Sequence, residues 1–184
     1  FHATAPTEIY TLGRSSAASD VYKRQGRGRQ TLRARERVVT PIVAAPKTLD
    51  LAGAVELLRT ARRIAVVGAS SRPWRASNSV MRYLLGQGYE CVPVNPKRSE
   101  VLDQVCYPSL EAATAAGGPF DIVDVFRRPE HTPEIARSAV ATGCGALWLQ
   151  LGVVSEEAAR IAGESGLAVV MDRCTAVVHR RLRG

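Results

Sequence analysis

Two cations, Lys97 and Arg98, close the segment Val94-Asn95-Pro96-Lys97-Arg98, directly after an apolar run. In a nucleotide-binding α/β sheet, the end of the second strand normally carries a carboxylate that accepts from a ribose hydroxyl. An amide, a proline and two cations at that place suit a ribose that bears its own phosphate. NADP carries such a phosphate at the 2′ position and coenzyme A carries one at the 3′ position.

The other junctions where an apolar run meets a turn offer related chemistry. Gly68-Ala69-Ser70-Ser71-Arg72-Pro73-Trp74-Arg75 follows the first run. Gly68 permits a sharp turn and close ligand approach. Ser70, Ser71, Arg75 and free backbone amides would cradle a pyrophosphate at a helix start. The dinucleotide fingerprint GxGxxG needs further glycines, and only Gly68 is present, which disfavours NADP.

Phe126-Arg127-Arg128 follows the third run. Phe126 would pack on adenine or pantetheine, with Arg127 or Arg128 adding charge for phosphate. Alternatively, Phe126 is core and the arginines pair with Glu130 or Glu134. Trp148, Gln150 and Gly152 follow the fourth run and would line a channel for an amide-bearing chain such as pantetheine. Trp148 as plain core is the equal alternative. At the fifth, Asp172 would cap the last helix or pair with Arg173, and Cys174 would sit within reach of a bound thiol. No Ser-His-Asp order, HExxH motif or carboxylate pair stands out, so no catalytic set is assigned.

The elements that must position these residues follow from periodicity. Ile64–Val67, Cys91–Val94, Ile122–Phe126, Ala146–Leu149 and Leu167–Met171 are short apolar runs suited to strands buried on both faces. Pro93 inside the second removes one ladder donor. Helical patterns separate the runs, with Asp50, Ser77 or Ser79, and Ser155 as candidate caps or openers. The alternation predicts an α/β fold: one doubly wound domain over residues 48–184 with a five-stranded parallel sheet. Ligands of such sheets lie beyond the carboxyl ends of the strands.

The net charge of +8 is concentrated in one segment. Residues 1–47 hold nine Lys/Arg against Glu8, Asp20 and Glu36, which leaves only +2 for the rest. Residues 1–47 are therefore expected to be a disordered basic tail. An organellar transit peptide and an RNA-binding arm share its composition. Within it, Ser15–Gln25 resembles translated adapter sequence, and no function is drawn from the tail. The nearly neutral remainder gives no reason to expect a nucleic-acid partner. Cys91, Cys106, Cys144 and Cys174 show no metal-ligand spacing, which fits a reducing cytoplasm. No apolar run approaches the ~18 residues of a membrane span. Oligomeric state is left open.

In series, Ile64–Ser70, Pro93–Pro96, Val123–Arg128, Trp148–Gly152 and Met171–Cys174 resemble the small stand-alone CoA-binding proteins, typified by the bacterial YccU-like proteins. Their Rossmann-like domain is similar to the N-terminal domain of the succinyl-CoA synthetase α subunit. The resemblance runs from about residue 55 to 182. It implies a coenzyme A or acyl-CoA site along Gly68–Ser71, Asn95–Arg98, Phe126–Arg128 and Trp148–Gln150. The ligases add a phosphohistidine loop and a partner domain, for which no counterpart is expected among these residues. The expectation is a coenzyme A binding protein without catalysis of its own, with an NADP-binding redox enzyme or sensor as the alternative.

Overall fold

A computed structural model describes residues 48–182, so the expected tail over 1–47 lies outside the described residues. In chain order the elements are α1 (Leu51–Thr60), β1 (Arg63–Val67), α2 (Ala76–Gly86), β2 (Glu90–Val94), β3 (Glu100–Val101) and β4 (Gln104–Val105). They continue with α3 (Leu110–Gly117), β5 (Ile122–Val125), α4 (Thr132–Ala141), β6 (Ala146–Leu149), α5 (Glu156–Glu164), β7 (Ala168–Val170) and α6 (Thr175–Arg180).

Five strands form one parallel sheet in the order β2-β1-β5-β6-β7. Alternate residues of each strand feed two cores. Ala65, Val67, Val123, Val125, Leu147 and Leu149 pack with residues of α3, α4 and α5. Ile64, Val66, Ile122, Ala146 and Trp148 pack with residues of α1, α2 and α6. Burial on both faces is why the strands read as unbroken apolar runs rather than alternating ones.

Register places the site. Val67 lies opposite Val94 on one side and Val125 on the other. The residues that follow, Gly68, Asn95 and Phe126, therefore emerge side by side at the carboxyl edge. The strand order reverses between β1 and β5, where such sheets open a crevice for ligands.

Three local features depart from the sequence expectations. Pro93 sits in an edge strand, bridged on its outer side by Tyr107 opposite Val94, and the Tyr107 amide donates to the Pro93 carbonyl. The missing donor therefore costs little. Helix α2 starts at Ala76 rather than behind a Ser77 or Ser79 cap. Its cap position is Arg75, which makes no side-chain cap bond. Finally, β3 and β4 form a small antiparallel hairpin over Leu102 and Asp103, both at positive φ (53° and 59°). Two such residues make the turn that best matches strand twist, but it usually carries Asn-Gly, so the pattern gave no warning.

Candidate functional site

Two recesses meet at the carboxyl edge. The first, of about 330 Å³, is floored by Val67, Gly68 and Val94 and walled by Pro96, Leu110 and Ile135, with Ser109, Glu111, Glu134 and Ser138 among its polar members. The second is a groove of about 650 Å³ lined by Gly68, Ser70, Arg72, Arg75, Asn95, Lys97, Arg98, Phe126, Arg127 and Arg128. Gly68, Asn95, Arg127 and His131 border both. One recess mixes apolar walls with polar groups and the other carries six cations, so together they suit a molecule with a flat base at one end and phosphates next to it.

The turn after β1 is shaped by Gly68, whose φ is +87°. A Cβ there would lie 3.0 Å from Arg127 Cδ and 3.3 Å from the Phe126 carbonyl oxygen. The glycine thus lets the Arg127 side chain lie across the turn, between the two recesses. Ala69 is fully buried behind it. The loop beyond is held from below by Asn78, a buried residue of α2 whose amide donates to the Ser70 carbonyl at 2.8 Å. Arg82 donates in turn to Asn78 Oδ1 at 3.0 Å. Ser70 Oγ accepts from the Arg72 amide, and the Arg75 amide closes a turn onto the Arg72 carbonyl. Ser71 and Arg75 are exposed. Nothing in the apolar pattern singles out Asn78, because helical position alone does not say which polar residue faces inward.

Asn95 organises the second loop. Its side-chain amide donates to the Ala69 carbonyl at 2.7 Å, and its Oδ1 accepts from the Lys97 amide at 2.9 Å. The Arg98 amide donates to the Asn95 carbonyl. Pro96, Lys97 and Arg98 are exposed. This side chain ties the cation pair to the β1 turn.

Phe126 is half-buried. It packs against the α2 and α6 core and also borders the groove. Arg128 lies 3.8 Å from Glu130, an exposed pair that contributes little. Glu111, at the mouth of the first recess, has its carboxyl held below the usual range, chiefly by a hydrogen bond with Ser138.

The end of β6 is different. Trp148 is fully buried, and its indole N–H donates to the Arg173 carbonyl at 2.7 Å. Of the two roles weighed for it, core is the one realised. Gln150 is 4% exposed. Its amide donates to both carboxylate oxygens of Asp124 (2.8 and 2.9 Å), and its Nε2 lies 2.6 Å from Thr175 Oγ1. The Thr175 hydroxyl donates to Asp124 at 3.1 Å. Gln150 is thus spent on an internal carboxylate, and neither it nor Trp148 borders the recesses. Gly152 turns the chain at φ +82°, and its amide donates to Asp172, which neither caps α6 nor pairs with Arg173.

Asp124 is the polar residue that sequence reasoning passed over. It lies in mid-strand with no solvent exposure. Burial pushes its carboxyl up to about 7, against the lowering effect of the Gln150 and Thr175 hydrogen bonds. Burial likewise pushes the Cys91 thiol up to about 12, which disfavours its thiolate. Cys174 is half-buried before α6. Among the described residues no cluster of His, Cys, Asp and Glu could hold a metal ion, and no helix is long and apolar enough to cross a membrane.

Known proteins resemble this chain in sequence and in fold. The chain is 43% identical over 124 residues to YneT of Bacillus subtilis (strain 168), a protein described as uncharacterized; the match spans 67% of this chain and 90% of that one. A solved structure of a hypothetical protein from Pyrococcus horikoshii OT3 superposes with a TM-score of 0.69 at 40% identity, over 74% of this chain and 94% of that chain. The apo form of a dinucleotide forming acetyl-coenzyme A synthetase from Ca. Korarchaeum cryptofilum shares the fold at a TM-score of 0.55 and 23% identity, over 64% of this chain and 28% of that chain. Residues 62–180, from the start of β1 to the end of α6, match the family described as the CoA binding domain, and the chain belongs to that family.

Proposed function

We propose that this domain holds coenzyme A, free or acylated, in the two joined recesses and performs no chemistry on it. The observation that carries the reading is the groove. Lys97 and Arg98 border the same recess as Gly68 and Ser70, with Arg72, Arg75, Arg127 and Arg128 around them. Lys97 and Arg98 would meet the 3′-phosphate. Ser70, Ser71, Arg75 and the uncapped start of α2 would meet the pyrophosphate. Adenine would enter the recess between Pro96, Leu110 and Ile135, where Glu111 and Ser138 offer acceptors to its amino group. Family membership supports the coenzyme, whereas NADP finds no support among the similar proteins. The setting in this reading is the reducing cytoplasm, where the four cysteines remain thiols.

The test is calorimetry with coenzyme A, 3′-dephospho-coenzyme A and NADPH. The wild type is expected to prefer coenzyme A. Changing Lys97 and Arg98 together to Ala should weaken coenzyme A by about 10- to 100-fold, from two charge-assisted bonds at an open site, and the dephospho form by less than about threefold. Equal weakening of both ligands would remove the cation pair from the ribose phosphate. Tighter binding of NADPH would overturn the choice of cofactor.

A further inference from the structure

The chain has two tryptophans, and they have opposite environments. Trp148 is sealed in the core. Trp74 is 76% exposed, more than any other large apolar side chain among the described residues. A lone exposed aromatic is ordinary on a protein surface. Trp74 does not itself line the cationic groove, but it lies on the turn between Arg72 and Arg75, which both do. The Arg72 guanidinium stands 5.9 Å from the centroid of its ring.

The segment that presents Trp74 is held in place. Asn78 fixes the Ser70 carbonyl, the Arg75 amide bonds back to the Arg72 carbonyl, and Pro73 has a restricted φ. An aromatic carried on a fixed turn beside a binding groove offers contact area at low entropic cost.

We propose that Trp74 is the apolar platform for the pantetheine arm and acyl group of the bound thioester. This rests on the coenzyme A reading above and assigns the part of the ligand that reading leaves without a contact. The adenosine end lies toward α3 and α4, in the recess walled by Leu110 and Ile135. The phosphates cross the groove past Gly68. The arm then leaves the groove along the turn of Arg72 to Arg75. The indole face lies open at that exit, so the acyl group rests against a surface instead of entering a closed cavity. The site therefore accepts aliphatic acyl groups of differing length, and longer chains cover more of the ring.

Tryptophan emission reads this directly, because Trp148 is shielded from solvent and Trp74 is not. The full chain is titrated with adenosine 3′,5′-bisphosphate, coenzyme A and octanoyl-coenzyme A, with calorimetry in parallel. The bisphosphate, which lacks the arm, should release heat and leave the emission unchanged. Coenzyme A should shift it to the blue, and octanoyl-coenzyme A should shift it further. Trp74→Ala should weaken coenzyme A about fivefold and octanoyl-coenzyme A about tenfold, the scale of an aromatic contact, and should leave the bisphosphate within about twofold. Trp74→Phe should recover most of the loss. Equal emission changes with bisphosphate and coenzyme A, or equal losses in Trp74→Ala, overturn the platform. Heat from coenzyme A with unmoved emission overturns it while leaving the coenzyme reading intact. No heat from coenzyme A overturns both.

Discussion

The side-chain amide of Asn95 donates to the carbonyl oxygen of Ala69 at 2.7 Å, joining the loops that follow β1 and β2. The same side chain accepts from the Lys97 amide. One residue therefore fixes the spacing between the proposed pyrophosphate cradle and the proposed ribose-phosphate cations.

Asn95→Ala should loosen both loops. We expect a stability loss of about 1–2 kcal/mol, the scale of removing a partner from the carbonyl of a buried residue, measured by denaturant unfolding. Affinity for coenzyme A should fall about tenfold as the cations lose their position. Asn95→Asp should go further and place a carboxylate near a ribose, favouring a bare hydroxyl over a phosphate. Its preference for coenzyme A over the 3′-dephospho form should shrink or reverse. An unchanged preference would argue that Asn95 only supports the loop.

Gly68→Ala combines two strains. The position has φ +87°, and the added methyl meets Arg127 Cδ at 3.0 Å. The left-handed backbone alone costs about 1–2 kcal/mol for a residue with a Cβ. Thermal unfolding should show a lower midpoint. Coenzyme A affinity should fall as Arg127 is displaced from the boundary between the recesses. Adding Arg127→Ala to Gly68→Ala should recover the part of the loss due to the Arg127 contact and none of the part due to the backbone or the Phe126 carbonyl.

Asp124 should make stability depend on pH. Burial raises its folded pKa to about 7, above the ordinary carboxylate value of 3.8, so folding favours the protonated form. The resulting stabilisation is full below pH about 4 and is lost as the pH rises through about 7, because the unfolded chain ionises first. Asp124→Asn, which cannot ionise, should flatten this part of the profile. Urea unfolding of both proteins between pH 4 and 8 measures the difference. Parallel profiles would mean that Asp124 stays ionised, held by the Gln150 amide on both its oxygens.

Trp148→Phe should separate the two tryptophans. It removes the indole donor to the Arg173 carbonyl and leaves a small void, at a cost of about 1–3 kcal/mol. Coenzyme A affinity of the folded variant should match the wild type, because Trp148 borders neither recess. A specific loss of affinity without a loss of stability would return Trp148 to the site.

The carboxyl-edge loops after β1 and β2 were legible because they are contiguous in sequence. A glycine ending an apolar run, then hydroxyls and arginines, states its own chemistry, and so does Asn95-Pro96-Lys97-Arg98. Residues brought in from other elements were not legible. Ser109, Glu111, Glu134, Ile135 and Ser138 come from α3, α4 and their approaches, and only the crossovers bring them to one recess. Asn78 looked like any polar residue near a helix start until its side chain was seen to reach the Ser70 carbonyl.

The two tryptophans mark where local pattern stops. By itself the chain determined the five buried strands, their alternation with helices and the edge at which a ligand would lie, because burial on both faces leaves a period that can be read along one dimension. It also marked the cations at the end of β2. Only the tertiary structure decided that Trp148 and Gln150 turn inward and that Trp74 faces solvent. A side chain's environment at a strand end depends on what the neighbouring strand and helix place against it. For Gln150 that was Asp124 and Thr175, 26 and 25 residues away in the chain, and no spacing in the sequence encodes such a meeting.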